Sequence, residues 1–446
     1  MDQNLVTSHK RFYENTLSSI ERKFNAPDDT CFVFVQHAFL PGLSFFDSVE
    51  NRIAAIIPKS SSSKSNPDVV HQLRKRFPGK VHPDISRDTL LDPEYTVQFL
   101  KDVTRGRPFA ILEYGAYFAP AAEAISNHTQ LGSTLRGFVE GTENGIRGSD
   151  DQSTIGYQNV VARLQHPVVS KSRSCIKKIM DIEIGPAIVH ATNEIFRRNI
   201  GCTLKHCRGT IGVVGLGAIG NGILEGLNKD FIRPLVFDTN LAIMATLANH
   251  NNNAVSQDHI LRSSDILFLN TGSCFFSEKP ALLKLLKDNA TLILCTSGDV
   301  EAGIPQLIAD GYLTLIQTES NREIATYKTM YAKKIRIILG IDGIGQAPNM
   351  SLKDGSASPA NLMSDMEFCG IGNYLASPET KLRPGMIHHS PESVEQLILR
   401  EWLSEFYPDT IKPSLNKTKH FSAGTLSQLP MEGQTTTTKP VATSSC

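Results

Sequence analysis

The residues with the clearest chemical spacing are three glycines and an acid. Gly215-Leu216-Gly217-Ala218-Ile219-Gly220 follows a short β-branched run, Thr210 to Val214, and opens a helical stretch to about Lys229. In this spacing the first glycine allows a tight turn, the second lets the backbone approach a pyrophosphate, and the third lets the next helix pack closely on its strand. Gly215, Gly217, Ala218, Ile219 and Gly220 are therefore the candidate pyrophosphate cradle, with the open amide groups and partial positive charge of the helix N-terminus facing the phosphates. A second strand, Leu235 to Phe237, is closed by Asp238. A carboxylate about 20 residues past the glycines can bond both ribose hydroxyls of adenosine and repels a 2′-phosphate, so the cofactor expected is NAD rather than NADP.

The elements needed to position these groups are strands alternating with helices. Beyond Asp238 the alternation continues through a strand ending in Asn270-Thr271-Gly272 and another ending near Ser297-Gly298, two strand-end loops that would border the cofactor crevice of a six- or seven-stranded sheet. The N-terminal part has apolar strands at 31–36, 52–57, 108–112 and 135–139, whose following loops carry His37, Tyr114 and Thr142. The expected fold is α/β with two doubly wound parallel-sheet domains, a Rossmann domain at 185–345 inserted into a substrate domain built from 1–184 and 346–411. A helical pattern at 175–198 joins the two, and Gly185-Pro186 predicts a kink or break in it, because proline lacks the amide hydrogen. The Thr/Ser/Lys/Pro-rich segment 412–446 reads as a disordered tail.

Lys+Arg and Asp+Glu both number 45, so charge points to neither a nucleic acid nor an anionic membrane as partner. No apolar run reaches the roughly 18 residues of a membrane span, and the N-terminus reads as an amphipathic helix, so the default location is cytoplasmic. The eight cysteines include no CxxC pair. Cys202 and Cys207, with His206 between, lack two further ligands at metal-binding spacing, so no metal is expected and reduced thiols are.

The loops LEYGAYFAP and VEGTENG, the Ser174-xx-Lys177-xxx-Asp181-xxx-Gly185 helix, the glycine fingerprint, the strand-end sequences TG and GDVE and the pair Pro348-Asn349 together resemble adenosylhomocysteinase over roughly residues 30 to 400. That resemblance implies a tightly held NAD that transiently oxidises the 3′-hydroxyl of a nucleoside. Lys177 and Asp181 match the family's lysine and aspartate at that hydroxyl, and their i, i+4 spacing puts both on one helix face; an alternative register would place Lys171 there. By the same resemblance His37 is a ribose and acid/base contact, Thr142 and Asn144 hold the nicotinamide end, Asn349 contacts the carboxamide and Asn270 borders the crevice. A homo-oligomer is also implied, although the family's C-terminal lysine and tyrosine, which reach a neighbouring subunit's NAD, have no counterpart here.

The departures are specific. Tyr114 replaces a catalytic aspartate, Gly141 a glutamate, Ile182 an asparagine, and Ser297 and Ser358 two histidines. An acid/base group is worth about 10²- to 10⁴-fold in rate, so these losses weigh against adenosylhomocysteine hydrolysis itself. The reading that follows is use of NAD to oxidise a hydroxyl on a nucleoside-like substrate. Two alternatives are a non-catalytic NAD-binding or sensing module and a D-2-hydroxyacid dehydrogenase; the latter predicts an Arg, Glu and His set, and no His follows Asp299 before His388.

Overall fold

Continuous apolar strands such as Cys31–Gln36 arise when both faces of a sheet are buried. In the computed structural model, which describes residues 3–38, 42–59, 67–148, 155–249, 253–273, 275–295, 303–318, 324–338 and 359–408, this strand alternates between two cores: Phe32 and Phe34 point into one, Cys31, Val33 and Val35 into the other. It is β1 of a first sheet that also contains β2 (Ile53–Pro58), β3 (Phe109–Glu113), β4 (Leu135–Glu140), β5 (Val168–Ser170) and, returning late in the chain, β14 (Ile387–His389). The order is β14-β5-β4-β3-β1-β2, parallel throughout. Chain order reverses at β1, which places a crevice at the carboxyl ends of β1 and β3. The helices Pro359–Ala376 and Glu392–Phe406 pack on this sheet's outer layer beside the N-terminal helix Gln3–Phe24.

The second sheet comprises β6 (Ile211–Val214), β7 (Leu235–Phe237), β8 (Asn253–Ala254), β9 (Ile266–Leu269), β10 (Ala290–Leu294), β11 (Leu313–Thr318), β12 (Ile324–Thr329) and β13 (Lys334–Ile338). Its order, β11-β12-β13-β10-β9-β6-β7-β8, reverses at β6, the nucleotide-binding topology of a Rossmann sheet. Here too the strands alternate between two cores, Ile266 and Phe268 facing one and Leu267 and Leu269 the other. The sheet has one strand more than the sequence suggests and is not wholly parallel: β12 is antiparallel to both β13 and β11. β11, at the sheet's edge, leaves every residue after Leu313 exposed. The tail 412–446 lies outside the described residues. Among those described, no helix is long and apolar enough to cross a membrane.

Between the two sheets runs one helix, Cys175–Ile200, which is unbroken at Gly185-Pro186, where a kink or break is expected. Pro186 cannot donate to the Ile182 carbonyl one turn earlier, yet the helix continues because a second helix, Ala218–Lys229, packs against that spot. A Cβ added at Gly222 would lie 2.6 Å from the Ile182 carbonyl oxygen, and one added at Gly185 would collide with the Gly222 backbone. The freed carbonyl is thus covered by glycine backbone, close enough for a Cα–H···O contact. The contacts climb together: Ile182 and Gly185 meet Gly222, while Pro186 and Val189 meet Gly226. The two helices therefore run in the same sense, and the residues before Gly185 extend toward the N-terminus of the Ala218–Lys229 helix.

This crossing has no room for a methyl group. Gly222→Ala is expected to destabilise the folded chain by about 1–3 kcal/mol, the usual cost of overpacking. Urea unfolding followed by circular dichroism measures it, and a midpoint unchanged from wild type would refute the close crossing.

Candidate functional site

The glycine loop joins β6 to its helix with each glycine under a different constraint. Gly215 has φ +85°, and a Cβ there would sit 2.5 Å from the Asn270 carbonyl. Gly220 has its Cα against the Gly215 carbonyl, so helix and loop touch through backbone alone. At Gly217, the N-cap of the helix, a Cβ would meet nothing within 4 Å. That open face, beside the amide groups of Ala218, Ile219 and Gly220, is the cradle a pyrophosphate requires.

Asp238, at the end of β7, turns toward this loop. Its Oδ2 accepts from the Leu216 amide at 2.7 Å and its Oδ1 from the Asn240 amide at 2.7 Å. The carboxylate is thereby fixed beside the second residue of the fingerprint. Across the switch point, at the end of β9, Asn270 has both side-chain polar atoms buried with no partner among the described residues. An amide so placed costs about 1–3 kcal/mol unless a ligand or water bonds it, and its donor and acceptor complement a dinucleotide's polar groups. Thr271 and Gly272 form the turn after it, Gly272 at φ +66° and the Thr271 hydroxyl accepting from the Ser273 amide at 3.3 Å. Ser297, Gly298 and Asn349 lie outside the described residues. The residues present fit NAD.

Lys177 and Asp181 form an ion pair on the linking helix, with side chains 15% and 16% exposed. Burial holds the Asp181 carboxyl above its ordinary range, and Lys177, then Lys171, pull against that shift. Asp181 and Gly185 lie one turn apart on the same face. Because Gly185 meets the glycine-loop helix and the two helices run in the same sense, the pair lies toward the glycine-loop end of the crossing.

The carboxyl edge of the first sheet carries a denser set of charges than the sequence discloses. Glu113 and Glu140, the last residues of β3 and β4, are paired in register and fully buried. Glu140 accepts from the amides of Gly115 (3.0 Å), Ala116 (2.7 Å) and Thr142 (2.6 Å) and from the Thr142 hydroxyl (2.7 Å). Glu113 accepts from the Tyr157 hydroxyl and, at 3.1 Å, from the Phe118 amide. Burial first, then the neighbouring Glu140, push the Glu113 carboxyl up to about 8, whereas the donors around Glu140 oppose its own upward shift. Burial thus favours the protonated form of both carboxyls, and the backbone and hydroxyl donors around Glu140 oppose it there. The loop residues expected at the nicotinamide are engaged here: Thr142 caps the short helix Glu143–Arg147, accepting from Gly145 at 2.9 Å, and Asn144 is exposed on its first turn.

His37 follows β1, its ring centroid 5.6 Å from that of Tyr114. Burial, then the Lys59 charge, hold its pKa well below the ordinary histidine value, so the imidazole is neutral. Lys171, just past β5, is wholly buried; its ammonium donates to the Ser364 carbonyl (2.6 Å) and hydroxyl (2.8 Å) and to the Tyr114 hydroxyl (3.3 Å), with Glu367 3.7 Å away. It lies 3.9 Å from the Phe368 ring centroid. Burial brings Lys171 down to about 8, against the pull of Glu367 and Asp365. Tyr114 stacks edge-on with Phe368 at 4.7 Å, and a side chain at Gly141 would run into its ring. Tyr114 and Gly141 are therefore one structural feature: the tyrosine occupies the space a side chain at 141 would need. Among the described residues no cluster of three or more metal-ligating side chains is present.

No family model matches the chain, and no curated protein does. Among solved structures it is similar to the apo-structure of D-lactate dehydrogenase from Escherichia coli, at 16% identity and a TM-score of 0.32, over 59% of this chain and 73% of that one. Such a score does not match residues across the two chains, so the site is defined by this chain's own geometry.

The buried carboxyl of Glu113 has a pH signature. Because the folded chain holds this proton more tightly than the unfolded one, the group's stabilising contribution is complete below the unfolded value of 4.5 and is lost as pH rises through about 8. Glu113→Gln should therefore show a shallower fall in Tm than wild type between about pH 5 and pH 9. Parallel Tm-against-pH curves for the two proteins would contradict the assignment.

Proposed function

We propose that the chain is an NAD-binding oxidoreductase that oxidises a secondary hydroxyl of a nucleoside-like substrate held between the glycine-loop edge and the carboxyl edge of the first sheet. The observation carrying this reading is the unpartnered Asn270 amide beside a glycine loop whose Leu216 amide is bonded by the Asp238 carboxylate. NAD, when bound, supplies the hydride acceptor. The chain's own task is to hold the hydroxyl and take its proton. Asp181, with a carboxyl raised by burial, accepts hydrogen bonds from a hydroxyl and has the proton affinity to act as base. Lys177, paired to it, donates to the neighbouring hydroxyl and steadies the carboxylate. The resemblance to adenosylhomocysteinase supports the same two residues, while the filled space at Tyr114 and Gly141 favours the redox step over hydrolysis.

One observation favours a second reading, a 2-hydroxy acid as substrate. Lys59, after β2, and Arg87 converge over Gly115: a Cβ there would lie 3.7 Å from the Lys59 ammonium and 3.1 Å from an Arg87 Nη2, which itself donates to the Gly115 carbonyl. Two cations at a sheet's carboxyl edge suit a substrate carboxylate.

Calorimetry is expected to show NAD binding, weakened about ten-fold or more by Asp238→Ala, the loss of charge-assisted bonds to ribose. Incubation with nucleosides should yield absorbance from reduced cofactor, cut by about 10²- to 10⁴-fold in Lys177→Ala. Reduction with 2-hydroxy acids alone would move the assignment to the second reading, and a chain that ignores NAD would end both.

A further inference from the structure

The segment joining the linking helix to β6 contains a chemistry that the dinucleotide reading leaves unused. The helix ends at Gly201, whose φ is +76° and whose amide donates to the Phe196 carbonyl at 3.1 Å. The next residues fold back on themselves. The amides of His206 and Cys207 both donate to the Thr203 carbonyl, at 2.9 and 3.0 Å, and the Thr203 hydroxyl lies 2.8 Å from His206 Nδ1. The Leu204 amide donates to Asn193 Oδ1 at 2.8 Å, anchoring the turn to the helix it has just left, and the Leu204 side chain is buried in the adjoining core. This turn, held by bonds that do not involve sulfur, brings the half-buried Cys202 and Cys207 together, Sγ atoms 2.6 Å apart.

We propose that Cys202 and Cys207 are a thiol–disulfide exchange site, oxidised reversibly by a low-molecular-weight disulfide such as oxidised glutathione. In the first exchange the Cys202 thiolate attacks one glutathione sulfur; a Cys202–glutathione bond forms, the glutathione disulfide breaks, and the departing thiolate takes up the proton Cys202 lost. In the second, the Cys207 thiolate attacks the Cys202 sulfur, forming the intramolecular bond and expelling the other glutathione, which leaves with the Cys207 proton. Two protein thiols are oxidised and one glutathione disulfide is reduced. The order follows from the surroundings. Burial, then the hydrogen bond with Cys202, push the Cys207 thiol up to about 12, so it enters second, after capping of Cys202 has removed that hydrogen bond. His206 is exposed beside the pair, which leaves the turn open to a small reagent from solvent. The bond would fix the connection between the helix bearing Lys177 and Asp181 and the strand feeding the glycine loop, and it needs neither NAD nor substrate.

The test equilibrates the full chain with mixtures of reduced and oxidised glutathione, quenches with acid and maps peptides by mass. The expected result is loss of two hydrogen atoms confined to the peptide carrying Cys202 and Cys207, reversed by reduced glutathione. The exchange constant should be about ten-fold or more larger for the native chain than for the chain in urea, because folding raises the effective concentration of one thiol at the other. Cys202→Ser should abolish the two-hydrogen loss. Glutathione adducts persisting on both sulfurs, no reaction of either, or equal constants for native and unfolded chain would each overturn the proposal.

Discussion

Everything in the proposed site depends on two helices touching backbone to backbone. At Gly185 and Gly222 nothing larger than hydrogen separates them, so their register cannot slide and their axes cannot part without opening a void. One helix begins at the glycine turn and the other carries the Lys177–Asp181 pair. A contact with no side chains in it therefore sets the distance between the glycine turn and the Lys177–Asp181 pair. Pro186 takes part in this arrangement: the carbonyl it leaves without an amide is the one seated against Gly222.

The first sheet solves a different problem, that of keeping charge inside. Glu113, Glu140, Lys171 and Glu367 are all fully buried, which is costly unless each is bonded. Glu140 is surrounded by donors from two loops. Lys171 is held by the helix Pro359–Ala376, whose Asp365 is in turn bonded by Tyr13 and Gln36. The edge is thus cross-linked by polar bonds from the N-terminal helix, four strands and a late helix, and removing one member would strand its partner in a low dielectric.

The glycine turn and the strands around it are legible in the sequence because each feature answers to a local constraint. A tight turn, a bare approach and a close packing each demand glycine, and a ribose demands an acid at a fixed remove. The long apolar strands are legible for the same reason. What the sequence conceals is non-local. The pairing of Glu113 with Glu140 depends on the β3–β4 register, and Lys171 finds its partner 193 residues away. The strand β12 has too little apolar character to stand out, and β5 and β14 are three residues each. The break expected at Pro186 is missing because the compensating surface belongs to another helix, which residue-by-residue reasoning does not see.

Tyr114 and Gly141 carry a consequence for substitution at either position. Ring and side chain claim the same volume, so what either position tolerates hinges on the other. With the tyrosine at 114, a side chain at 141 has no room, so a larger residue at 141 requires a smaller one at 114 at the same time. The two positions are coupled, and truncating the tyrosine alone would leave a hole between Phe368 and Lys171.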